Sequence, residues 1–217
     1  MSWLKDLLER LFGGVEEPQE ETKEDYYNNK YPEYPITYNG RTLANTNEMI
    51  AIDVRNFITP YDYELESLRT EFVQYMEDDK NAVECLKWVI DNITYTSDKS
   101  QFGIPEEWLF AYETLKTRKG DCDDGAILLA NLMVVSGIPY WKVRLTAGNT
   151  SAGGHCYVTY YDEEGDRWVV LDWCYWPNKK EVKARKEYKK DKRYGQVWFS
   201  WNKKYSFYKA ENDPSSI

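Results

Sequence analysis

One run of residues limits what this chain can fold into more than any other. From Ala126 the sequence Ile127-Leu128-Leu129-Ala130-Asn131-Leu132-Met133-Val134-Val135 is apolar nearly all round, and Ser136-Gly137 follows it as a stop. A helix without a polar face must be enclosed on every side, so this segment is predicted to be a central, buried helix. Upstream, Met49 to Ile58, Glu64 to Met76 and Ala82 to Ile93 carry apolar residues at helical intervals and are predicted as three helices, the first broken by Pro60. Downstream, residues 140–146, 156–161, 168–173 and 197–201 are short, β-branched and aromatic, as strands are, and Asp162-Glu163-Glu164-Gly165-Asp166 is a polar hairpin turn. Helices followed by an antiparallel sheet make an α+β layout.

The termini and composition set further bounds. Residues 1–14 place Trp3, Leu4, Leu7, Leu8, Leu11 and Phe12 on one face of a short amphipathic helix that Gly13-Gly14 ends. Residues 15–35 form an acidic, then Tyr-, Asn- and Pro-rich linker, and residues 36–217 the folded domain. The helix at residues 2–12 is expected to dock either on its own domain or on a partner protein; its charge-balanced polar face disfavours a membrane-surface anchor. A net charge of -9 argues against nucleic acid as a partner, because phosphate contacts need excess cation. The four cysteines, Cys85, Cys122, Cys156 and Cys174, show neither a zinc framework nor a disulfide spacing, so free thiols are expected. With no signal-peptide pattern and no 18-residue apolar run, a cytoplasmic location without stable membrane insertion is expected. Residues 179–193 hold nine basic and three acidic side chains, a run that most often means a solvated segment, and nothing catalytic is read from it.

Chemistry concentrates at three positions. Asp121 is a good N-cap and Asp124 falls at the third helical position, so Cys122 opens the apolar helix where unpaired N–H groups favour a thiolate. The carboxylates of Asp121, Asp123 and Asp124 oppose this, so an imidazolium is needed beside the thiol, and His155 is the only histidine in the chain. Counting back from the hairpin turn, His155 and Asp172 stand at nearly the same height on adjacent strands, within hydrogen-bonding range on one face. Strand alternation would turn Cys156 away from that site. Gly125 and Ala126 keep the first helical turn small, which permits close approach of a strand or a substrate backbone.

The stretch from Ala82 to Trp176 resembles the transglutaminase-like superfamily, a papain-like group. The matching residues are Trp108, Glu113-Thr114-Leu115, Gly120-Asp121-Cys122-Asp123-Asp124, Gly137-Ile138-Pro139, Gly154-His155 and Leu171-Asp172, with Trp88 to Tyr95 resembling the helix and entry strand before the motif. The resemblance implies a papain-like core with the central helix packed on an antiparallel sheet. It further implies Cys122 as nucleophile, His155 as general base and acid, and Asp172 as the group that orients the imidazole. Trp108 is expected either to supply an indole N–H to an oxyanion or to wall the cleft. The activity implied is acyl transfer from a peptide amide through a Cys122 thioester, with water as the preferred acceptor and an amine as the other. Its substrate would be a protein or peptide. No cofactor or metal pattern is present, including no calcium loop. A non-catalytic peptide-binding module that keeps the fold is the alternative.

Overall fold

The structure is a computed structural model that describes residues 22–30, 35–43, 46, 48–69 and 77–208. The chain separates into two compact units, residues 1–30 and 31–217. In the first, helix α1 spans Lys23–Lys30, with Glu24 and Asp25 in its first turn and the Thr22 hydroxyl accepting the Asp25 N–H at 3.1 Å. This short helix stands within the segment that composition marks as linker. The amphipathic helix predicted at residues 2–12 lies outside the described residues.

The second unit opens with a two-stranded antiparallel sheet, β1 at Thr37–Thr42 and β2 at Met49–Asp53. A helix was the expectation from Met49 to Ile58, and the structure corrects it to a strand followed by a single 3-10 turn, Val54–Phe57. Apolar residues at 49, 50, 52, 54, 57 and 58 satisfy both periods, and pairing with β1 decides for the strand, with Met49 and Ala51 exposed and Ile50 and Ile52 half-buried. Helix α2 covers Tyr63–Ser67, its Asp62 N-cap accepting the Glu64 N–H at 3.1 Å, while residues 70–76 of the predicted second helix lie outside the described residues. Helix α3, Asp78–Asn92, starts four residues ahead of the expected Ala82.

Strand β3, Thr94–Tyr95, precedes the short helices α4, Asp98–Gln101, and α5, Ala111–Thr117; β4, Lys119–Gly120, then pairs parallel with β3 and leads into helix α6, Cys122–Val135. The main sheet comprises β5, Val143–Thr150, β6, Gly153–Asp162, β7, Arg167–Leu171, β8, Tyr194–Trp201, and β9, Ser206–Tyr208. Its order is β7-β6-β5-β8-β9, antiparallel throughout. The architecture is the α+β, papain-like core expected, and β9 is an addition to the four strands predicted.

Helix α6 packs against β5 and β6 and against α3 and α5, which is why it needs no polar face. Residues 127–133 are entirely buried. Each such Leu or Ile contributes about 1.5–3 kcal/mol by leaving water. The one amide in the run, Asn131, is fully satisfied: its Nδ2 donates to the carbonyls of Phe57 and Ile127 at 2.9 Å, and its Oδ1 accepts the Thr59 N–H at 2.7 Å. The helix thereby holds the chain that follows β2 in place. Among the described residues no helix is long and apolar enough to cross a membrane.

Candidate active site

Cys122 is the first residue of α6, so its N–H belongs to the four that helix geometry leaves without an intrahelical partner. Three hydrogen bonds fix this helix end. The Asp121 N–H donates to Asp124 at 3.0 Å, and the other oxygen of Asp124 accepts the Leu109 N–H at 2.7 Å, tying the segment before α5 to the cap. The indole of Trp173 donates to the Cys122 carbonyl at 3.1 Å. Gly125 makes room for that indole, since a Cβ at 125 would lie 2.5 Å from Cζ2 of Trp173 and nearer still to Cε2 and Nε1. The close approach foreseen for this glycine is therefore made by a tryptophan of the same chain.

His155 and Asp172 are joined, Nε2 to Oδ2, at 3.0 Å, and both are buried. The register differs from the one anticipated. Val158 faces Leu171 as the last pair of the β6–β7 ladder, so continued pairing would set His155 opposite position 174, and Asp172 reaches it diagonally from beyond the strand end. It can do so because Asp172 forms an Asx-type turn: Oδ1 accepts the N–H groups of Cys174 and Tyr175 at 3.0 and 3.1 Å. Oδ2 also accepts the Tyr194 hydroxyl at 2.9 Å, so the carboxylate has four donors. Burial alone would raise its pKa, but His155 and these N–H and O–H donors hold it below the ordinary aspartate value. Tyr175 lies flat on the imidazole, centroids 3.9 Å apart and planes 2° from parallel.

Cys122 and His155 line one cavity of about 350 Å³ with Tyr38, Tyr95, Glu106, Trp108, Tyr175 and Trp198 among its other walls. Nδ1 of His155 is buried and has no hydrogen-bond partner, whereas the Cys122 thiol donates to Asp123 at 3.7 Å. No Cys122–His155 bond closes the pair in this state. Cys156, expected to face away, also borders the cavity. Trp108 walls it: its indole N–H is engaged by Glu106 at 2.7 Å, and its ring stacks between Tyr38 and Trp201. All four cysteines are free.

The charge around the thiol is negative. Burial, and then the Asp121 carboxylate, push the Cys122 thiol above its ordinary pKa, so both oppose the thiolate that the helix start favours. Burial likewise raises the carboxyls of Asp123 and Asp124. Carboxylate oxygens of Asp98, Asp121 and Asp124 lie within 4.8 Å of one another; Oδ1 of Asp98 lacks a partner, while the Asp121 carboxylate also meets the carboxyl of Asp123. An all-oxygen set of this kind is what a hard divalent cation takes. Neither this cluster nor the contributions of Tyr175, Tyr194 and Trp173 was foreseen. Trp173 directly follows Asp172 in sequence and Tyr175 stands three residues past it, which is a usable signal; Asp98 and Tyr194 offer none.

Residues 67–173 match the sequence model of the Transglutaminase-like superfamily. These residues form a transglutaminase-like domain. Solved structures similar to the chain include LapG of Legionella pneumophila in a calcium-bound form, at 17% identity and TM-score 0.47, covering 68% of this chain and 87% of LapG. The EGTA-treated form of LapG aligns at 17% identity and TM-score 0.48 over 69% and 86% of the two chains. A candidate cysteine protease of Cytophaga hutchinsonii aligns at 22% identity and TM-score 0.40 over 57% of this chain and 42% of that one. No curated protein sequence matches. The transglutaminase-like domain thus contains the Cys122, His155 and Asp172 positions, with the cavity at its surface.

Proposed function

We propose that this protein is a cysteine-dependent hydrolase of peptide or protein amides, with Cys122 as nucleophile, His155 as base and then acid, and Asp172 orienting the imidazole. One observation carries the reading: an imidazole locked on one side by a four-donor carboxylate keeps its other nitrogen buried and unpartnered, and His155 and Cys122 line one cavity. With Nε2–H donated to Asp172, Nδ1 is free to accept a proton. His155 Nδ1 takes the thiol proton as the sulfur bonds to the amide carbon. The imidazolium returns that proton to the leaving amine as the C–N bond breaks, which leaves a thioester. Water, deprotonated by the same nitrogen, adds to the thioester, and breaking the C–S bond restores the thiol and releases the acid. The Cys122 N–H is the oxyanion donor in this scheme, and Trp108 only shapes the cleft. An amine in place of water would give cross-linking.

The test is covalent labelling by a peptide-like thiol-reactive probe near neutral pH, read by mass spectrometry. Labelling should fall on Cys122, be lost in Cys122→Ala and drop by about 10²-fold or more in His155→Ala. Labelling of Cys122 no faster than of buried Cys85, with His155→Ala unchanged, favours the peptide-binding module without catalysis.

The orphaned oxygen of Asp98, beside the carboxylates of Asp121 and Asp124, supports a second assignment, a hard divalent cation held by Asp98, Asp121 and Asp124. Its charge, when bound, would favour the thiolate of Cys122. Calcium should then raise the melting temperature over an EDTA-treated sample, and Asp98→Asn should abolish that rise; equal melting with and without calcium would remove the assignment.

A further inference from the structure

The basic segment that the catalytic scheme leaves unused has a specific distribution of charge. Among the described residues, five of its nine cations pair with carboxylates: Lys179 with Asp91, Lys183 with Glu181, Lys189 and Lys190 with Glu187, and Arg193 with Asp191. Of the four that do not, Lys180, Arg185 and Lys186 line a single cavity of about 400 Å³. The one carboxylate in its lining, Asp191, is engaged by Arg193, at 3.0 Å through Nε and 2.5 Å through Nη2, and also feels the charge of Lys186, so the cations of the lining outnumber it.

Arg185 shows that the cavity is built and not a chance gathering of surface lysines. It is 6% exposed, and its guanidinium is fixed by three backbone carbonyls: Nη1 to Val170 at 3.0 Å, and Nη2 to Asn178 at 3.0 Å and Lys180 at 2.8 Å. Nε has no partner. Carbonyl oxygens satisfy donors but bring no countercharge, and an uncompensated buried cation is costly. A guanidinium held this way, in a cavity that Lys180 and Lys186 also line, is a donor set suited to a tetrahedral oxyanion. We propose that this cavity binds a phosphate-bearing anion.

The site is separate from the thiol cavity, for no residue lines both. It adjoins the supports of the triad all the same. Val170 and Trp176 in its lining flank Asp172 in sequence, Trp176 meets the His155 ring edge-on at 6.4 Å, and Arg193 precedes the Tyr194 that binds Asp172. An anion here would bridge the two segments that hold the carboxylate.

The experiment is a titration of the full-length protein with orthophosphate, pyrophosphate and adenosine monophosphate at constant ionic strength, with chloride as the control. It is followed by thermal shift and by the Arg185 Nε–H signal in ¹H–¹⁵N spectra. A saturable rise in melting temperature and a shift of that signal are expected. The double substitution Lys180→Gln/Lys186→Gln should weaken binding at least about fivefold while leaving melting in chloride unchanged. Tightest binding of orthophosphate identifies the free ion, and tightest binding of the nucleotide identifies an organic phosphate. If no anion exceeds chloride, if the Arg185 signal stays in place, or if the double variant binds like the parent, the proposal is overturned.

Discussion

Replacing Gly125 by alanine sets two known effects against each other. In an ordinary helix interior the change stabilises by about 1 kcal/mol, because glycine has the greater backbone entropy to lose. Here the new Cβ would fall 2.5 Å from Cζ2 of Trp173 and closer to two other ring atoms, where about 3.5–4 Å is the comfortable separation. The indole is a rigid plane, 4% exposed and packed into the core, so it has to move by about an ångström or more. Overpacking of this kind costs about 1–3 kcal/mol, and displacing the ring also weakens the bond from its N–H to the Cys122 carbonyl, worth about 1 kcal/mol. The sum is a net loss of about 1–3 kcal/mol, which for a chain of this length is a fall of several degrees in melting temperature. Urea unfolding of Gly125→Ala, Trp173→Phe and the double variant measures it. The double variant should be less destabilised than the two single losses added, because the smaller ring relieves the clash. Probe labelling of Cys122 should slow in Gly125→Ala, since the residue joined to Asp172 is the one displaced. A Gly125→Ala protein as stable as the parent would refute the placement of Trp173 and the role of the glycine together.

Two further substitutions test the buried polar groups. Tyr194→Phe removes one of the four donors to Asp172 and should cost about 1.5–3 kcal/mol at pH 7. Because the folded-state pKa of Asp172 is depressed, that stabilisation is present above the unfolded value near 3.9 and lost as pH falls through the folded value, so the deficit should shrink in urea titrations below about pH 4; a deficit independent of pH contradicts it. Asn131→Leu leaves the Thr59 N–H and the Phe57 carbonyl without their partner in the core and should cost about 3 kcal/mol by chemical denaturation, whereas a neutral result would show the 57–59 segment is not held by α6.

The elements that could be read from sequence are those with one dominant signal. Helix α6 declared itself because only a fully enclosed helix tolerates the run from Ile127 to Val135, and Ser136-Gly137 marks its end. The strands β5 to β8 were visible through β-branched and aromatic runs between polar turns. The segment from Met49 to Ile58 was not, because its apolar positions satisfy two periods and the deciding partner, Thr37–Thr42, has little apolar patterning of its own. At the candidate site, residue type and order pointed to Cys122, His155 and Asp172. The register between the last two depended on an Asx turn that simple counting along strands does not include. Tyr194 reaches Asp172 from 22 positions away, and Asp98 meets Asp124 from 26, so only the folded chain brings them together. The opposition of the Asp121 carboxylate to a thiolate was legible in the sequence, whereas the larger effect of burial on the thiol belongs to the whole fold.

The four donors on Asp172 have an evolutionary and practical side. The same carboxylate that bonds His155 shapes the turn carrying Tyr175 onto the imidazole, two residues past Trp173, whose indole binds the helix bearing the thiol. A change at 172 therefore removes the partner of the imidazole and the template of its surrounding loop in one step. Selection on foldability alone would protect this aspartate, whatever residue stood at position 122.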